Sequence, residues 1–255
     1  MIMIKTCVGI LLATALSVWG FSPYEEYLQS GRQTHVALLA QVKSDKGAEL
    51  QDALNILKEK KATKAFRKAK ISEISSYSFE YKSNTWVMVY FDYDGDEYLK
   101  AAEAFESVSE AKDVTQFITA HPRAKRYGTK WLQMEWICYI AGLQKKGPAT
   151  SKFAMVTKIK PEKEKEYRLL HQTVWPGVVD QMVRGNNRDF SIFIAEIGDE
   201  IFEIFHLDYV GDDAEKDGKM NQVDPFNIRW WKHTDACQTP LPGVDGIWKM
   251  MDKKL

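Results

Sequence analysis

The hydrophobic pattern along the chain changes period in the same order twice. "HVALLAQVK" (35–43) is an apolar run of strand length, and residues 45–69 space Ala, Lys and Leu at helical intervals. "ISEISSYSFEYK" (71–82) and "NTWVMVYFDY" (84–93) then alternate with period two, joined as a hairpin at Lys82-Ser83-Asn84. Residues 96–120 return to helical spacing, and "WLQMEWICYI" (131–140) closes as a strand. The stretch "GLQKKGPATS" (142–151) has the composition of a linker. Beyond it the order recurs: "KFAMVTKIK" as a strand, 161–184 as a helix, and "RDFSIFIAEI" and "EIFEIFHLDYV" as a hairpin joined at Gly198-Asp199. A helix around "PFNIRWWKHTDAC" and a last strand near "VDGIWKMM" complete it.

This order, βαββαβ, is the split βαβ of ferredoxin-like domains. A sequence echo supports duplication: "DYDGD" (92–96) and "DYVGD" (208–212) end the third strand of each half, and Trp131/Met134 recur as Trp248/Met251. The expected fold is α+β, two tandem ferredoxin-like domains packed as an intramolecular dimeric α/β barrel. Its parts are a signal peptide (1–20), an N-terminal segment (21–33), a degenerate domain (34–141), the linker (142–151) and a second domain (152–255). Each sheet carries helices on one face and needs its other face covered, so the partner is supplied in cis and a monomer is complete. The gap between the two sheets is the expected pocket.

Composition adds export and removes nucleic acid. The 255 residues are 45% hydrophobic, enough for a substantial core. Lys+Arg and Asp+Glu are both 35, which leaves no nucleic-acid footprint. "MIMIKTCVGILLATALSVWG" carries one lysine, an apolar run short for a bilayer span, and then small residues suited to signal-peptidase cleavage after Gly20 or Ala15. The expected destination is periplasmic or extracellular, with no stable membrane span after processing; a retained anchor is the alternative. Cleavage leaves Cys138 and Cys237, read as two buried free thiols, with one disulfide as the alternative.

Candidate chemistry collects in "EKEYRLLHQTVWPG" (164–177). Tyr167, His171 and Trp175 are spaced four apart and fan across ~80° of one helical face, with Leu170 and Val174 in the same stripe. A hydroxyl and an imidazole one turn apart can reach one polar ligand held between helix and sheet. His171 is the candidate acid/base; a core histidine bonded to a backbone carbonyl is the structural alternative. Trp230-Trp231 offers flat faces and N–H donors to a sugar, with core packing as its alternative. His35, His121, His206 and His233 are assigned surface or structural roles, His233 being the one of the four within reach of the expected pocket. No CxxC, HExxH, P-loop or G-x-S-x-G is present, so neither metal nor cofactor is expected. The basic tract "KEKKATKAFRKAK" reads as a solvated helical face.

"FAMVTKIKP", "EKEYRLLHQTVWPG", "RDFSIFI" and "RWWKH", in that order, resemble the L-rhamnose mutarotase family over residues 152 to about 252. The resemblance implies a cofactor-free isomerase that interconverts the α and β anomers of L-rhamnose or a related 6-deoxyhexose. It implies His171 as proton donor, and Tyr167, Trp230 and Trp231 as the sugar-site lining. Two departures follow. Phe190 stands where the family usually has a second tyrosine, which loosens substrate identity toward L-fucose or another 6-deoxy sugar. The first half has Leu50 and Leu54 where the second has Tyr167 and His171, so one active site per chain is expected. The competing readings are a non-catalytic periplasmic sugar-binding or scaffold protein derived from a mutarotase, and a haem-degrading or antibiotic-biosynthesis-type monooxygenase on the same barrel.

Overall fold

A computed structural model describes residues 34–142 and 148–255. The expected signal peptide (1–20), the segment 21–33 and the middle of the linker, 143–147, lie outside the described residues. In chain order, β1 (Thr34–Val42) leads to α1 (Gly47–Ile56) and α2 (Lys60–Lys68). The one helix expected over 45–69 is thus two, because Glu59 adopts an extended conformation and restarts the turn. Strands β2 (Ile71–Tyr81) and β3 (Asn84–Tyr93) form the first hairpin. Lys82 and Ser83 both have positive φ there, the two-residue turn that matches strand twist. Next come α3 (Ala101–Ser107), α4 (Ser109–Thr115), β4 (Ile118–Thr119), β5 (Leu132–Gln133) and β6 (Glu135–Ile140).

The second half opens with β7 (Ser151–Ile159), α5 (Glu164–Gln172) and α6 (Pro176–Arg184). The single helix expected over 161–184 breaks at Trp175, since Pro176 forces its predecessor into extended backbone. Strands β8 (Asn187–Ile197) and β9 (Glu200–Tyr209) make the second hairpin. Helices α7 (Ala214–Val223) and α8 (Pro225–Cys237) follow, and Asp224 caps α8 by accepting from the Phe226 and Asn227 amides. Short strands β10 (Gln238–Thr239), β11 (Lys249–Met250) and β12 (Asp252–Lys253) finish the chain.

Among the described residues the strands form two antiparallel sheets. One runs β12-β2-β3-β1-β4 with β5 also on β1; the other runs β10-β7-β9-β8-β6 with β11 also on β7. The strand expected to close the first half therefore splits. Leu132–Gln133 stays on β1, whereas Glu135–Ile140 crosses to pair with β8. The chain's last strand makes the reciprocal crossing and pairs with β2. Each crossing covers the free backbone edge of the other sheet, an edge that left bare would invite foreign pairing. Both sheets belong to one compact unit, Gln33–Leu255.

Alternation along the strands decides what each face meets. Ala37, Leu39, Met88 and Tyr90 of the first sheet pack against Ala154, Val156, Phe193 and Ile204 of the second. The ring pairs Phe79–Phe202 and Tyr90–Phe193 cross that interface. The space between the sheets, the expected pocket, is thus packed core. The reason is that the inward-facing set on both sheets is large and apolar, and it interdigitates. The outer face of the first sheet is sealed by α1–α4 through a continuous cluster that includes Leu38, Leu54, Phe66, Val87, Phe105 and Trp131. On the outer face of the second sheet the apolar contacts divide into two smaller clusters. Between them is a cavity.

Candidate active site

The cavity has a volume of about 440 Å³, within the ~300–1,000 Å³ of small-molecule sites. Its floor is the helix-facing side of the second sheet, including Met155, Phe190, Ile192 and Phe205, and its roof comes from α5, α6, α7 and α8. Tyr167, His171, Trp230 and Trp231 all line it. The four residues singled out in the sequence therefore meet at one site, on the far side of the sheet from the interface where the pocket was expected.

α5 places Tyr167 and His171 one turn apart, and both point inward, Tyr167 1% and His171 8% exposed. Their ring centroids lie 4.2 Å apart. His171 Nδ1 donates to the Tyr167 carbonyl at 3.0 Å, which fixes the tautomer and leaves Nε2 for a ligand. Burial pulls this imidazole down to about 4, the backbone bond opposing only in part, so the ring is neutral at pH 7. Trp230 stands edge-on to His171 at 5.3 Å and Trp231 completes the indole wall. Trp175, by contrast, is turned out of the cavity by the break before Pro176 and packs on Trp230 and His233. His233 is exposed and does not line the cavity.

The other histidines are structural. His35 pairs with Asp92 at 2.9 Å, His206 stacks on Tyr90 at 3.7 Å, and His121 Nε2 donates to the Glu196 carbonyl at 2.9 Å. Cys138 and Cys237 are free buried thiols, and burial pushes Cys138 up to about 12.

Several cavity residues carry no motif. Gln181, Asn221, Asn227 and Gln238 bring amides to the wall, and Gln181 Nε2 donates to Asn221 Oδ1. Beneath them lies Glu203 of β9, fully buried, accepting from the Tyr167 hydroxyl and from Gln238 Nε2 at 2.8 Å. Burial raises its carboxyl to about 8. A signal for it exists in the sequence: "IFEIF" puts a carboxylate between Ile201 and Phe205 on one face of an otherwise apolar alternation. Phe190 does occupy the cavity wall, 5.3 Å from Phe205, and offers no hydroxyl.

Chemically, the lining combines flat aromatic faces, amide donors and acceptors, and one neutral imidazole. Among the described residues that line it there is no Asp, Glu, Lys or Arg. Such a wall desolvates a neutral polyhydroxylated molecule cheaply and offers no counter-charge to an anion or cation.

Residues 152–253 match the family model described as L-rhamnose mutarotase. The chain is 29% identical over 72 residues to an L-rhamnose mutarotase of Oceanobacillus iheyensis, covering 28% of this chain and 64% of that protein. It is 29% identical over 84 residues to an L-rhamnose mutarotase of Burkholderia ambifaria, covering 32% of this chain and 72% of that protein. The chain thus spans a little under two thirds of the length of the first of these relatives. In overall fold it is similar to the crystal structure of a candidate monooxygenase from Lactobacillus acidophilus NCFM. That similarity has a TM-score of 0.52 at 8% identity and covers 87% of this chain and 95% of that one. At that identity the similarity speaks for architecture alone.

Proposed function

We propose that the chain is an exported sugar mutarotase that interconverts the α and β anomers of L-rhamnose or a related 6-deoxyhexose, with His171 as its acid/base. The family match over residues 152–253 supports an isomerase-type enzyme at family level. The observation that carries the reading is an uncharged cavity holding a neutral imidazole and a tyrosine one turn apart, walled by the double indole.

Mutarotation removes a proton from the anomeric hydroxyl, delivers one to the ring oxygen, and reverses both after the freed carbonyl turns its other face. A neutral His171 enters as base: Nε2 takes the anomeric proton and returns it on reclosure, so it donates only after it has accepted. One positioned acid/base supplies ~10²–10⁴-fold, adequate for a reaction that water already carries out slowly. Trp230 and Trp231 cover the C–H face of the sugar, and the amides take its hydroxyls. With Phe190 in place of a tyrosine one hydroxyl contact is missing, which favours a sugar whose hydroxyl pattern differs from that of L-rhamnose.

The barrel itself fits a tandem duplication of ferredoxin-like units, one active site per chain and a self-sufficient monomer. What supports duplication is irregularity repeated in register. Both second strands bulge, between Ser72 and Ser75 and between Arg188 and Ser191. Positive φ recurs at Lys70 and Glu73 and again at Asn186 and Asp189. The two "DY-x-G" echoes also share a cause: a Cβ on Gly95 or Gly211 would collide with the ring of Tyr93 or Tyr209. Export rests on the leader sequence.

The test is saturation-transfer NMR across a panel of deoxyhexoses, with calorimetry and a haemin titration beside it. Enhanced anomer exchange with one sugar supports the proposal. Sugar binding without exchange makes the protein a binder, and a Soret band with haemin makes it a haem protein; either outcome refutes it.

A further inference from the structure

Mutarotation moves two protons, and His171 accounts for one. Glu203 lies beneath the cavity with its carboxyl bonded to two residues that line the cavity, Tyr167 and Gln238. It sits opposite Thr157 in the β7/β9 register, in mid-sheet, where a carboxyl group has no structural necessity. The first half shows what the same place looks like without a site. Val87 lies opposite Ala40 in the β1/β3 register, and above it Leu50 and Leu54 stand where Tyr167 and His171 do. All three are apolar and tightly buried there. The acid, the phenol and the imidazole are thus present together where there is a cavity and absent together where there is none.

Building on the mutarotase reading, we propose that Glu203 is the source of the second proton, a positioning residue that acts through Tyr167. The Tyr167 hydroxyl, which donates to Glu203 in the structure, turns to the sugar's ring oxygen and accepts from the Glu203 acid instead. Its O–H bond then breaks toward the ring oxygen as the Glu203 acid proton passes to the Tyr167 oxygen. In the same step the C1–O5 bond breaks, and the anomeric O–H proton goes to His171 Nε2. The products are the open-chain aldehyde, a Glu203 carboxylate and a His171 imidazolium; recyclisation returns both protons. Charge and atoms balance with no further reactant. Burial holds Glu203 protonated through neutral pH, which loads the relay before the sugar arrives. Gln238 Nε2 donates to the other carboxyl oxygen at 2.8 Å, which leaves the oxygen beside Tyr167 as the one to carry the acid proton.

The groups facing Glu203 from the elements around it are Tyr167 on α5, Cys138 on β6, Cys237 at the end of α8 and Gln238 of β10. The tyrosine and both thiols are raised by burial, Cys138 to about 12, so a rate limb near pH 8 belongs to Glu203.

The test is Glu203→Gln in the full chain, checked for an unchanged thermal melt. Anomer-exchange kinetics are followed from pH 6 to 10, and the infrared C=O band of a protonated carboxyl is recorded. Expected in the wild type are a rate that falls as pH rises through about 8 and an acid band that vanishes over the same range. In Glu203→Gln the band is missing, kcat is ~10²-fold lower at unchanged KM, and the alkaline limb is gone. Should the variant fold poorly, Tyr167→Phe cuts the relay at its other end and must erase the same limb. A Glu203→Gln enzyme that keeps the wild-type rate and limb overturns this inference and leaves the mutarotase reading standing. A wild-type chain with no exchange at any pH overturns the mutarotase reading and the relay with it.

Discussion

A buried neutral imidazole makes the folded chain acid-sensitive by an amount that the structure fixes. The His171 ring titrates near 6.5 when the chain is unfolded and near 4 when it is folded, because burial disfavours the charged form. As pH falls, the unfolded chain therefore takes up the proton first. The stability contribution is whole above the unfolded value and is lost as pH falls through 6.5 toward the folded value near 4. The displacement is worth about 3 kcal/mol when complete, of which roughly 2 kcal/mol falls between pH 7 and pH 5. His171→Gln removes the titration while keeping an N–H that can reach the Tyr167 carbonyl. Urea unfolding at pH 7 and pH 5 then gives the answer as a difference of differences, in which His121 and His206, buried in both proteins, cancel. The wild type should lose about 2 kcal/mol more than the variant on acidification. Equal losses would mean that the ring is solvated, and the cavity assignment would fall.

Three further perturbations probe other parts of the account. Phe190→Tyr places a hydroxyl in the cavity wall and should change deoxyhexose affinity by about 0.5–1.5 kcal/mol, read by calorimetry, and reorder the preference between L-rhamnose and L-fucose. Leu54→His buries an imidazole in packed aliphatics with no cavity beside it; it should cost roughly 2–5 kcal/mol by chemical denaturation and create no second site. Gly211→Ala drives a methyl into the Tyr209 ring and should lower stability by about 1–3 kcal/mol by the same assay, with exchange activity intact in the folded fraction.

Much of the architecture could be read from period alone. β1, β2, β3, β7, β8 and β9 lie within a residue or so of the apolar and alternating runs, and α8 covers "PFNIRWWKHTDAC" end to end. The helix breaks at Glu59 and Trp175 were less visible, although the Trp-Pro pair carries the physical cause of the second. The crossings of β6 and β12 were not legible, because an edge strand's choice of sheet depends on which backbone edge is free and leaves no mark on its own alternation. The same limit explains the misplaced pocket. Period two separates the two faces of a sheet but does not say which will pack without gaps; that depends on volumes across the interface, where Phe79, Tyr90, Phe193 and Phe202 fill the space. At the site, helical spacing found Tyr167 and His171. The amides of Gln181, Asn221 and Asn227 went unseen because they converge from three helices that only tertiary packing brings together.

The central claim is that His171, inside the cavity between the second sheet and its helices, moves the anomeric proton. It is tested most directly by saturation-transfer NMR on L-rhamnose and L-fucose with the wild type and His171→Ala, each first shown by calorimetry to bind the sugar. The account predicts fast exchange in the wild type and at least a ~10²-fold loss in a variant that still binds. Exchange at the wild-type rate in His171→Ala would contradict it.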